Sequence, residues 1–191
     1  MKYELFPTLI KEYNVSGYPQ KEKLLEKIFN YPVDTHKAVR GGTSSFHFTH
    51  NPQTINFLLS EGFDDLYEFF TNCSKDYSNE VGIESGEMFN AWFNIMDHGN
   101  ETVRHHHPGT IIAGAYYPLL EDNSCNLIFY SPHFNQHQTW SATTDWTNKY
   151  NHPFFEFPIK QDHLYLFPGW LDHSTEINRG QKRVVISFNI K

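Results

Sequence analysis

The sequence predicts an α+β fold, mainly β: a jelly-roll or barrel braced on one face by N-terminal helices. Three observations predict it. Apolar residues recur at helical spacing through the first part of the chain, whereas from Gly86 onward most segments read as strands with Gly, Pro and Asn at the turns. Aromatics make up 17% of the residues, and flat rings pack well on pleated surfaces. Helices followed by an unbroken series of strands is the pattern of sheets braced by helices. At 191 residues the chain can bury a core without disulfides, and it shows no repeat, low-complexity tract or linker. One domain is expected over 1–191, with a helical support region at 1–85 and the β core at 86–191.

The elements follow in order. Tyr3 to Ile10 alternates and then breaks, reading as a short strand or edge segment that ends in a loop through Gly17 and Pro19. Lys21 to Phe29, with Leu24, Leu25 and Ile28 at helical spacing, is a short amphipathic helix that stops before Pro32. His36 to Thr49 carries Gly41, Gly42, Thr43, Ser44 and Ser45 and reads as a flexible polar loop or the rim of a site. From Pro52 to about Tyr77, Ile55, Leu58, Leu59, Phe63, Leu66, Phe69 and Phe70 mark one or two helices, with Gly62 as their divider. Phe89 to Met96 opens the strands.

A formal charge of −7 without a run of Lys or Arg argues against long nucleic acid as a partner. No apolar stretch approaches the roughly 20 residues of a membrane span. Cys73 and Cys125, with no signal peptide before them, fit two buried small hydrophobes in a cytoplasmic protein. The unusual count is 12 histidines, several clustered, and histidine is the commonest side-chain metal ligand.

In Val103-Arg104-His105-His106-His107-Pro108, strand alternation places His105 and His107 on one face and turns His106 away. A third ligand is offered by His173, where Pro168 and Gly169 bend one strand and His173 opens the next. Two ligands from one strand and a distant third, with open positions opposite, is the facial-triad pattern of non-haem Fe(II) oxygenases. His107 stands where the usual form has a carboxylate, so the donor set is imidazole throughout, which weakens the case for iron over other first-row metals such as Zn or Ni. Ten residues beyond His173, Arg183 enters the strand Lys182 to Ile190 on the face of Val185 and Ser187. A buried Arg there requires a carboxylate: an internal Asp or Glu, or the distal carboxylate of 2-oxoglutarate.

Trp92-x-Asn94, His105-x-His107-Pro108, Ala113-Gly114-Ala115-Tyr116-Tyr117, Phe167-Pro168-Gly169-Trp170-Leu171-x-His173-Ser174 and Arg183 to Asn189, with the opening Leu5-Phe6-Pro7-Thr8, resemble the small 2-oxoglutarate/Fe(II) oxygenases of bacteria and their phages. The resemblance covers nearly the whole chain and is strongest from Trp92 onward. It implies a double-stranded β-helix (jelly-roll, cupin-like) and an Fe(II)/2-oxoglutarate-dependent dioxygenase that hydroxylates a substrate with release of succinate and CO2. His105, His107 and His173 would be the iron ligands, and Arg183 the 2-oxoglutarate anchor. Asn94 and Tyr117 would line the co-substrate pocket. Three positions depart from the family's pattern: Ala113 and Gly169 stand where Ser is common, and Val185 stands where a Ser would help bind the carboxylate. Ser187, on the same face, is the substitute for the last.

The expected partners are O2 and a small-molecule or peptide substrate, and the edge strands of a small jelly-roll leave room for a homodimer. The expected location is the cytoplasm, of the host cell for a phage-encoded protein. Phe129 to Trp140, with Trp146 and His152 beyond, reads as a substrate wall, a lid or a solvent loop. His133 and His137 are four apart, but Pro132 argues against a helical metal pair. Two rival readings are a metal-binding cupin-type enzyme without 2-oxoglutarate and a non-catalytic jelly-roll binding protein.

Overall fold

The computed structural model describes residues 6–51, 53–84, 86–133, 150 and 152–191. Eleven strands and three α-helices occur among them: β1 (Lys11–Asn14), α1 (Lys21–Asn30), β2 (Asp34–His36), β3 (Val39–Ser44), α2 (Phe57–Ser60), α3 (Asp64–Val81), β4 (Met88–Asp97), β5 (Glu101–Thr102), β6 (Ile112–Leu120), β7 (Leu127–Tyr130), β8 (Phe154–Phe157), β9 (His163–Pro168), β10 (His173–Thr175) and β11 (Lys182–Ile190). A large antiparallel sheet runs β1-β9-β6-β11-β4-β3-β2, with β5 on β3, and a smaller one runs β10-β7-β8. The two sheets face each other as the double-stranded β-helix.

Period-two alternation builds the layers. On one face of the large sheet Ile112, Tyr116, Leu164, Leu166, Val184, Ile186, Phe188 and Ile190 pack against Leu24 and Ile28 of α1, Phe57 of α2 and Leu66, Phe70 and Tyr77 of α3. On the other face Ala113, Ala115, Tyr117, Tyr165, Phe167 and Val185 meet Leu127 and Phe129 of the small sheet. Gly114 is required by close packing, because a Cβ there would lie 2.1 Å from the Phe188 ring, which itself stacks on Phe70. Cys73 and Cys125 are buried free thiols, as expected.

Two sequence expectations change. The polar stretch 36–49 is not a loop: it forms the end of β2, β3 and a 3-10 helix at Phe46–His50. Gly42 serves strand approach, since a Cβ on it would lie 2.6 Å from the carbonyl of Ile95 in the neighbouring β4. The opening strand also falls later. Tyr3 to Leu5 lie outside the described residues, Phe6 has a left-handed backbone (φ 61), and pairing begins only at Lys11. Gly62 (φ 75) divides α2 from α3.

Candidate metal centre

The three histidines are brought together by backbone pairing before any side chain acts. The His105 amide donates to the His173 carbonyl at 2.9 Å and the His173 amide returns the bond to His105 at 2.8 Å, a closed antiparallel pair. Two residues on, the His107 amide donates to the Gly169 carbonyl at 2.8 Å. Gly169 must be glycine in this backbone, because a Cβ there would meet the Thr110 carbonyl oxygen at 2.3 Å. The glycine at this position is therefore a packing requirement.

One ring nitrogen from each of His105, His107 and His173 lies within 4.8 Å of the others. The opposite nitrogens are all engaged: Nδ1 of His105 bonds the Val103 carbonyl at 2.8 Å, that of His173 the Leu171 carbonyl at 2.9 Å, and that of His107 the Asn189 Oδ1 at 2.5 Å. These oxygens only accept, so each Nδ1 carries the proton and each Nε2 presents a lone pair. Burial lowers the pKa of all three rings: that of His107 falls to about 4, and that of His173 falls well below the usual value, helped by its two histidine neighbours. The trio is neutral at pH 7, the state a metal ligand requires.

His106 points away, as expected, and its Nδ1 lies 3.0 Å from Asp172 Oδ1. Arg104 donates from Nε and Nη2 to Asp172 Oδ2 at 2.9 and 2.7 Å and lies over the Tyr130 ring. Burial works against the Asp172 carboxylate, yet the bonds from Arg104 and His106 hold its carboxyl below the usual range. This clasp ties the 104–106 segment to the residue before His173.

All the expected site residues line one cavity of about 560 Å³. Arg183, 1% exposed, is its innermost cation. Its Nη1 and Nη2 donate to Met96 Sδ at 3.2 Å and Tyr117 Oη at 3.3 Å, its guanidinium lies over the Tyr117 ring, and its Nε has no partner. Among the described residues no carboxylate meets it. An internal Asp or Glu is thus not its partner there, and the buried cation is left for an incoming anion. Burial raises the Tyr117 pKa, so the phenol stays neutral and its O–H is free to donate. Asn94, opposite Val185 on β4, keeps an unpartnered buried Oδ1. Ser187 lies opposite Trp92, whose ring is 5.8 Å from that of His107, and so sits nearer the histidine end than Arg183 does.

Asn189 is the site residue that sequence reasoning missed. It continues the alternation Arg183, Val185, Ser187 by one step, so the period-two signal was present. Of the aromatic stretch after β7, residues 134–149, with His137, Trp140 and Trp146, lie outside the described residues. His133 is exposed.

The family profile described as "Putative 2OG-Fe(II) oxygenase" matches residues 90–189, which contain every residue named for the site. Comparison with curated protein sequences finds no match. Among solved structures the chain is similar to a Pseudomonas putida prolyl-4-hydroxylase (TM-score 0.66, 9% identity, 96% of this chain and 92% of that one). It is also similar to the epimerase SnoN in complex with Fe3+, alpha ketoglutarate and nogalamycin RO (TM-score 0.63, 10% identity, 96% and 78%). A third is a prolyl hydroxylase from Trichoplax adhaerens in complex with a hypoxia inducible factor peptide fragment (TM-score 0.57, 14% identity, 95% and 82%). At these identities the structural likeness speaks for the fold. Among the described residues no helix is long and apolar enough to cross a membrane.

Proposed function

The chain belongs to this family of 2OG-Fe(II) oxygenases, whose members use Fe(II) and 2-oxoglutarate, and from that premise we propose that His105, His107 and His173 hold the iron and Arg183 anchors the co-substrate. The carrying observation is the tautomer set: three Nδ1 protons are committed to oxygens, which leaves each Nε2 as the lone-pair donor of three rings whose ligand nitrogens lie within 4.8 Å of one another. When bound, iron and 2-oxoglutarate supply the oxidising chemistry, with O2 as oxidant and succinate and CO2 as by-products.

The chain's own part is to bind, orient and exclude water. Arg183 takes the distal carboxylate in a pocket where it has no competing carboxylate, and the Tyr117 hydroxyl adds a donor beside it. Asn94 and Ser187 line the walls between the guanidinium and the histidines. Asn189 fixes the tautomer of His107. The Arg104–Asp172–His106 clasp holds the ligand-bearing segments in register.

Residues 1–191 act as one domain, hydroxylating a small molecule or a peptide side chain that fits what remains of the cavity. Two buried free cysteines support a cytoplasmic home, in the host cell for a phage-encoded protein. The edge strand β8, with Phe155 exposed, offers a face for a homodimer. No observation favours a cupin-type enzyme without 2-oxoglutarate or a non-catalytic jelly-roll. The test is succinate formation from 2-oxoglutarate under O2: it requires added Fe(II) and is abolished in His173→Ala. Undiminished succinate from that variant contradicts the ligand assignment.

A further inference from the structure

The chain has 22 acidic residues, yet none of the described residues lining the cavity is Asp or Glu. Three carboxylates on neighbouring strands and turns are engaged elsewhere: Asp172 with Arg104 and His106, Glu101 with Arg40, and Asp97 with Lys182. The cavity therefore collects positive charge in an acidic protein. Buried Arg183 contributes one unit, and Lys37 stands exposed where the cavity meets solvent.

The charge count of the loaded site follows from the ligand set. In a two-histidine, one-carboxylate site, the ligand carboxylate and the two carboxylates of 2-oxoglutarate balance a divalent metal plus one arginine. Here His107 replaces the carboxylate, so one positive charge remains unbalanced after 2-oxoglutarate has bound. An unbalanced charge away from water is costly, and it becomes an affinity for whatever anion can enter. Buried acceptors of other kinds are present, such as the unpartnered Oδ1 of Asn90 and Asn94, but a neutral amide does not cancel a charge.

We infer that the primary substrate carries an anionic group, a carboxylate or a group of like charge, which supplies the negative charge that His107 does not. Lys37 at the mouth draws such a substrate in. The inference rests on the iron-site reading above and deepens it.

The test is anaerobic calorimetry on the Fe(II)- and 2-oxoglutarate-loaded protein, titrated with acetate and with acetamide, which has the same shape without the charge. The visible Fe(II)–2-oxoglutarate charge-transfer band is followed in parallel to show that the co-substrate stays bound. The expected result is acetate binding at least about ten-fold tighter than acetamide, with the preference falling toward unity in His107→Asp, where the protein restores the carboxylate. The acetate-to-acetamide comparison in the unaltered protein stands whether or not that variant folds. Equal binding of the two probes, or an undiminished preference in a folded, loaded His107→Asp, overturns the inference. Chloride binding as tightly as acetate overturns the substrate assignment, because a free ion then suffices. Absence of the band before any probe is added overturns instead the metal reading on which the inference rests.

Discussion

Strand β11 presents two largely buried faces that differ in what they meet. Toward the helices, Val184, Ile186, Phe188 and Ile190 are fully buried, apolar and packed on a single core. Toward the cavity, Arg183, Val185, Ser187 and Asn189 bring a cation without a carboxylate and an amide committed to a histidine. One face is closed and packed, and the other lines a cavity with its cation unpaired. The alternation of a single strand thus separates packing from chemistry, and a substitution should affect binding only at the positions whose parity turns them to the cavity.

The largest effect belongs to the closed face. Phe188→Ala removes a ring stacked on Phe70 and should cost about 3–5 kcal/mol in urea unfolding. Metal affinity of the fraction that remains folded should be unchanged. A large affinity loss at small stability cost would break the division.

On the open face the sign reverses for Arg183→Met. It replaces a buried, uncompensated cation by an apolar chain of similar length, so the protein without co-substrate should gain roughly 1–4 kcal/mol. The same variant should lose 2-oxoglutarate binding. Destabilisation on removal of Arg183 would mean that its charge is already balanced in the protein alone.

Asn189→Leu is next. The Nδ1 protons of His105 and His173 rest on backbone carbonyls, which no substitution removes, whereas that of His107 rests on a side chain. Metal affinity should fall about 10–100-fold, and Asn189→Asp should restore it. Unchanged affinity in Asn189→Leu, where His107→Ala abolishes binding, would remove Asn189 from the site.

The smallest effect is a pH dependence. His107 titrates near 6.5 when unfolded and at about 4 when folded, because burial disfavours its charged form. Between those values the unfolded chain holds a proton that the folded one lacks, so metal-free stability is full above about pH 7 and declines as pH falls through that window. The wild type should lose more stability from pH 7 to pH 5 than His107→Gln does. Equal losses would contradict the burial of a neutral ring.

Much of this was legible in the sequence, and the limits have physical causes. His105-x-His107 and Arg183-x-Val185-x-Ser187 could be read because strand alternation is local and strict. Asn189 shares that alternation, but its role depends on β11 lying beside the 105–107 segment, a contact 82 positions apart in the chain. The strands at 34–44 were hidden because Gly41 and Gly42 look like loop residues, while Gly42 lets β3 approach β4 and Gly41 holds a left-handed backbone against Asn100. Gly169 stood out only as a departure from the pattern of the resembling oxygenases, and the close carbonyl of Thr110 shows it to be a backbone fit.

The most direct test of the central claim is an anaerobic Fe(II) titration with and without 2-oxoglutarate, following the weak visible charge-transfer band in the wild type and in Arg183→Met. A band that needs both components, and that in the variant requires far more 2-oxoglutarate or vanishes, is the predicted result. Iron bound without any 2-oxoglutarate-dependent band, or a band undiminished in the variant, would contradict the assignment of His105, His107, His173 and Arg183 as one co-substrate site.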